Sequence, residues 1–161
     1  MSYGDWLLGM HSRPHDEPRT AASDRNAKTE TQRTMVLARR KTTARAAPEF
    51  VTETLAHWGC GERIDDIRLC TSELVTNALL HGTSADDVIL VRVEFHDAQL
   101  LVEVHDRDDG APRHRQPQDT SDNGRGLFLV SALADDWGVA ARDGPGKRVW
   151  ASFHVSLVTT C

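Results

Sequence analysis

Two stretches of helix-spaced apolar residues stand side by side between segments of strand patterning, and that order limits the fold more than any single motif does. The first helix is predicted over residues 43–58, with Ala47, Phe50, Val51, Thr54 and Leu55 at helical spacing. Pro48 sits near its start, where proline is tolerated, and Gly59 and Gly61 end it. The second is predicted over residues 63–80, with Ile64, Ile67, Leu74 and Ala78 as an inward stripe and Gly82 as a stop. Residues 34–38 read as a strand before them, and residues 88–95 and 100–105 as a hairpin after them. A short helix, residues 127–134, is opened by Gly124-Arg125-Gly126, and strands at 137–141 and 147–155 follow. Strands in a hairpin-rich set, with helices segregated to one face, form an α+β two-layer sandwich with a mixed, mostly antiparallel sheet.

Residues 1–32 are polar, mixed in charge and carry Pro14 and Pro18. They read as a flexible tail, and residues 33–161 as one folded domain. Residues 107–123 are polar, with Pro112 and Pro117, and make a long connection of the kind that serves as a lid or binding loop. The net charge of −5 does not favour nucleic acid as a direct partner. Cys60, Cys70 and Cys161 have no CxxC spacing, which argues against a disulfide framework or a Cys-rich zinc site and for reduced thiols in the cytoplasm. No run approaches ~18 apolar residues, so no membrane span is expected. The apolar patch from Trp6 to Met10 is short and preceded by Asp5, unlike an export signal.

Four places carry side chains suited to chemistry. Glu73 and Asn77 are one turn apart and share a helix face. An amide oxygen and a carboxylate there suit magnesium and proton transfer, although a solvated Glu and a helix-capping contact would leave the same pattern. Asp106 closes the strand at 100–105, where a carboxylate can accept a hydrogen bond from an exocyclic amine such as that of adenine. Gly124, Arg125, Gly126 and Leu127 open a helix, where backbone N–H groups and a fixed cation favour phosphate. Gly144-Pro145-Gly146-Lys147 joins the last two strands and lacks the spacing of a P-loop.

In this order and placement the chain resembles the GHKL superfamily of histidine kinase/Hsp90-like ATPases. Residues 68–82 resemble its N box, residues 106–112 its G1 box, residues 124–127 its G2 box and residues 146–149 its last box. The resemblance is closest to the stand-alone anti-sigma-factor serine/threonine kinases of actinobacteria and covers residues 33–157. It implies the Bergerat fold, with ATP and Mg²⁺ as cofactors. Glu73 becomes the general base, Asn77 the magnesium ligand and Asp106 the reader of the adenine amine. Gly110, Gly124, Arg125, Gly126, Leu127 and Lys147 line the nucleotide. The implied activity moves the γ-phosphoryl of ATP to a serine or threonine of a STAS-type anti-sigma antagonist. The implied partners are that antagonist and a sigma factor, held by a homodimer. Two departures stand out: Asp108 occupies the first glycine position of the G1 box, and Lys147 stands where the last box usually has threonine. They leave open a second reading, a non-catalytic nucleotide-binding or docking module that regulates a partner by binding alone.

Overall fold

The computed structural model describes residues 31–81, 87–106, 123–142 and 146–156. All of them fall in one compact unit that begins at Thr31. Residues 1–30 of the expected tail, the loop between Asp106 and Asn123 and the turn at 143–145 lie outside the described residues, whereas Gln32, also expected in the tail, opens the first strand of the sheet.

Five strands form one sheet in the order β1-β2-β3-β5-β4, and every described pairing is antiparallel. They are β1 (Gln32–Ala38), β2 (Val88–His96), β3 (Gln99–Asp106), β4 (Asp136–Ala141) and β5 (Lys147–His154). Three helices, α1 (Ala46–His57), α2 (Ile64–His81) and α3 (Asn123–Leu133), complete the α+β sandwich. Alternation decides which sheet face they cover. Ile89, Val91 and Val93 of β2, Leu100, Val102 and Val104 of β3, and Val149, Ala151 and Phe153 of β5 are buried and in register. They meet Ala47, Val51 and Leu55 of α1, Ile67, Cys70, Leu74, Val75 and Ala78 of α2, and Val130 of α3 in one core.

Local chemistry sets the helix ends. A 3₁₀ turn at Lys41–Thr43 precedes α1, so the helix starts at Ala46, with Pro48 in its first turn. It stops at Gly59, which takes φ 73°. The Gly59 N–H donates to Ala56 O and the Cys60 N–H to Leu55 O at 2.8 Å, a Schellman closure that buries Cys60 against the core. Asp65 and Asp66 lie in the first turn of α2, where its dipole favours negative charge. At the other end Arg39 donates to Leu79 O at 2.9 Å, tying the helix to the segment after β1. Arg63, just before α2, donates to Asp135 at 2.7 Å and lies over the Phe153 ring at 5.3 Å. That clasp fixes the start of α2 to the α3–β4 connection. The β2–β3 turn is the two residues Asp97 and Ala98, both at positive φ. Its conformation is the one that Asn-Gly normally marks, here adopted without a glycine.

The far face of the sheet holds a charged cluster that the sequence does not announce. Glu103 and His105 are buried there, 3% and 8% exposed. The Glu103 carboxylate accepts from Arg148 at 3.0 Å and lies 3.0 Å from His105 Nε2 and 3.6 Å from Arg92. Beside it the Trp150 ring lies across Gly138, where an added Cβ would come within 3.0 Å of the ring. No helix among the described residues is long and apolar enough to cross a membrane.

Burial alone would raise the Glu103 carboxyl, but the His105 hydrogen bond and the surrounding charges, Arg148 foremost, outweigh it and hold the group below its ordinary value. In the acid range the unfolded chain therefore binds more protons than the native state. The stabilisation is whole above the unfolded value of about 4.3 and disappears as pH falls through the lower native value. Glu103→Gln should cost about 1–3 kcal/mol near pH 7, measured by urea unfolding, and the gap from wild type should close as the pH is taken well below 4. A gap that is constant with pH would remove the charge from the explanation.

Candidate functional site

Helix α2 can carry functional side chains because most of its circumference is already committed. Its inner stripe of Ile67, Cys70, Leu74 and Val75 is at most 1% exposed. Thr71, buried on the same side, satisfies its hydroxyl by donating to Ile67 O at 2.8 Å. Glu73 and Asn77, one turn apart, are left half-buried on a flank. The neighbour on that flank is α3. A Cβ built on Gly126 would stand 2.5 Å from Glu73 Oε2, 3.5 Å from its Cδ and 3.8 Å from its Cβ. The space that a side chain at 126 would take is thus the space of the Glu73 carboxylate.

Asp106 is the last residue of β3 and is 5% exposed. By alternation it faces the helix side with Val102 and Val104. Antiparallel register sets it opposite Lys147 at the start of β5, and Lys147 in turn opposite Ala141 of β4. The residue put in place of the expected threonine is therefore the direct cross-strand neighbour of the candidate base-reading carboxylate. Arg142, which the sequence reading did not single out, reaches to 3.5 Å from the Asp106 carbonyl oxygen. Its position just after β4 beside the start of β5 is the only clue, and it becomes legible once the strands are paired.

Helix α3 begins at Asn123, so Gly124 and Gly126 lie within its first turn rather than ahead of it. Of Asn123, Gly124 and Arg125 the helical backbone is described, and Gly110 lies outside the described residues. Leu127 is half-buried, Phe128 is 72% exposed and Val130 anchors the helix in the core. The structure thus joins Glu73 to Gly126 by contact and Asp106 to Lys147 by register. The two pairs stand on different elements, linked through the packing of α2 on both β3 and α3. An open groove of about 420 Å³ lies elsewhere, between α1 and α2, lined by Arg45, Glu49, Asp65, Arg68, Leu69 and Ser72 among others. None of the candidate residues lines it.

In kind, the donor set fits a magnesium nucleotide. It offers a buried acceptor carboxylate at a strand end, an amide oxygen beside a second carboxylate, and a helix opening whose glycine leaves room for that second carboxylate.

An antiparallel five-stranded sheet with three helices packed on one face, in a chain whose residues 37–153 match a histidine kinase-like ATPase domain, is a domain of the GHKL class. Residues 37–153 match the histidine kinase-like ATPase domain family, and the chain belongs to that family. The match takes in Glu73, Asn77, Asp106, Gly126 and Lys147. Curated relatives include the anti-sigma F factor of Clostridium acetobutylicum, 28% identical over 60% of this chain and 74% of that protein. The anti-sigma F factor of Pasteuria penetrans is 32% identical, over 60% of this chain and 76% of that protein. Among solved structures, the RsbU and RsbW domains of a Mycobacterium tuberculosis protein superpose with a TM-score of 0.54 at 22% identity. The likeness is one of fold; it covers 76% of this chain and 32% of that longer one.

Cys70, on α2 three residues before Glu73, reports which way the helix faces. Its thiol is pushed up to about 11, by burial first and then by the negative charge of Asp66. Iodoacetamide at pH 7.5 should leave Cys70 unmodified in the folded protein and label it once urea unfolds the chain, as read by peptide mass spectrometry. Fast labelling of Cys70 in the native state would turn α2 about its axis and take Glu73 off the flank assigned to it.

Proposed function

We propose that this chain is an ATP-dependent protein serine/threonine kinase of the anti-sigma type. In this reading it phosphorylates an anti-sigma antagonist of STAS type and, when free of it, holds a sigma factor. The observation that carries the proposal is the half-buried Glu73 carboxylate, held against the first turn of α3 inside a histidine kinase-like ATPase domain. A carboxylate packed there, with its partner amide one turn away, suits a general base better than a solvated surface charge.

When bound, Mg²⁺-ATP supplies the transferable phosphoryl group and most of the charge neutralisation. Asp106 accepts a hydrogen bond from the exocyclic amine of the base, and its burial keeps water from competing for that bond. Asn77 would hold the metal through its side-chain oxygen, and the backbone of Gly124 and Arg125, at the positive end of α3, would hold the phosphates. Glu73 takes the proton from the attacking hydroxyl of the protein substrate. The phosphate added to the antagonist brings about −1.5 to −2 charges to its docking surface and weakens its hold. Similarity to two anti-sigma F factors supports the choice of partners. Cys60 and Cys70 are free, buried thiols, which suits the reducing cytoplasm in which we place a homodimer of this chain.

Glu73→Ala should keep Mg²⁺-ATP binding and lose about 10²–10⁴-fold in transfer of labelled phosphate to a STAS-domain substrate. Asn77→Ala should lose the magnesium-dependent part of nucleotide binding, read by titration with and without chelator. Equal phosphorylation by wild type and Glu73→Ala would remove Glu73 from the role and leave regulation by docking alone.

A further inference from the structure

The contact between α2 and α3 is specific in a way that packing alone does not require. Two of the three Glu73 atoms near the missing Gly126 side chain, Cβ at 3.8 Å and Cδ at 3.5 Å, would make ordinary van der Waals contact with a methyl group. Only the carboxylate oxygen, at 2.5 Å, conflicts with it. Gly126 lies in the first turn of α3, where glycine is no better a helix former than alanine. Neither helix formation nor helix–helix approach therefore explains the glycine, whereas the place of the Glu73 carboxylate does.

We infer that Gly126 is a positioning residue for Glu73: its bare Cα makes the space in which the carboxylate stands, so the first turn of α3 sets where the base is held. The inference rests on the reading of Glu73 as general base, and it gives Gly126 a task other than lining phosphate. A methyl group at 126 meets the far end of a flexible side chain, not backbone. The helix pair accepts it, and the carboxylate swings away. The cost falls on chemistry and leaves the fold intact. Since a misplacement of about 1 Å near the reacting atoms can lower turnover about 100-fold, a displaced carboxylate is enough to silence the site.

The test is Gly126→Ala, alone and combined with Glu73→Asp, whose carboxylate is one methylene shorter. In the protein free of nucleotide, the Glu73 side-chain carboxyl resonance, assigned by its loss in Glu73→Gln, should shift more in Gly126→Ala than that of any other glutamate. The melting temperature should stay level or rise. Mg²⁺-ATP affinity should hold within about threefold while kcat for phosphate transfer falls by about 10- to 100-fold. In the Gly126→Ala background, Glu73→Asp should recover part of that kcat, although alone in the wild-type background it lowers it. An unmoved Glu73 resonance, or affinity and kcat lost together, would overturn the inference and return Gly126 to the phosphates. No rescue by the shorter side chain would overturn it as well. Wild-type protein that binds Mg²⁺-ATP and transfers no phosphate would defeat the kinase reading instead, and the resonance and melting measurements would still decide whether Gly126 places Glu73.

Discussion

The seating of α2 on the sheet is the constraint from which the rest follows. Burying Ile67 and Leu74 alone contributes about 1.5–3 kcal/mol apiece, and Cys70, Val75 and Ala78 extend the same stripe. That stripe fixes the rotation of the helix about its axis. Clasps at the two ends fix its position along the axis, Arg63 to Asp135 at the start and Arg39 to Leu79 O at the finish. With rotation and translation both set, Glu73 and Asn77 have one place to be, on the flank toward α3. A polar pair aimed by an apolar face is a robust arrangement, because moving the pair means exposing the core.

The sheet imposes a matching discipline on the candidate residues at the end of β3. In a strand, a slip of one residue sends every side chain to the opposite face. The pairing of Val104 with Val149 and of Val102 with Ala151 commits Asp106 to the helix side and Lys147 to stand opposite it. The same register sends Glu103 and His105 to the far face, where Arg92 and Arg148 keep a buried carboxylate charged. Two acids three residues apart on one strand thus serve opposite faces, one facing the helices and one bracing the sheet. Lys147, opposite Asp106 where the resembled box usually has threonine, changes the charge at that end of the candidate site without disturbing the ladder.

Much of this was legible in the sequence because periodicity is a statement about faces. The stripes of α1 and α2, the alternation in β2 and β3 and the position of Asp106 at a strand end all follow from spacing. Spacing gives the β2–β3 hairpin but not its two-residue turn, since Asp97 and Ala98 lack the glycine that usually betrays two positive-φ residues. The start of α3 lies four residues earlier than spacing predicts, because Gly124 and Gly126 read as a loop before the helix and in fact form its first turn. Contacts between distant positions left no local trace. Glu103 meets Arg148 from 45 residues away, and Gly126 meets Glu73 across two helices, so neither cluster could be found before the chain was folded. The family boxes point to the candidate residues, and the fold sets Gly126 against Glu73 and Lys147 opposite Asp106.

The proposal that unites these observations is a single nucleotide site shared by the α2 flank and the end of β3, and its most direct test is calorimetric. Mg²⁺-ATP titrated into wild-type protein should bind at one site per chain. Asp106→Ala should weaken that binding by about tenfold or more, the worth of a hydrogen bond to a buried acceptor, with the fold unchanged by circular dichroism. Wild-type protein that takes up no nucleotide, or an Asp106→Ala variant that binds as tightly as wild type, would contradict it.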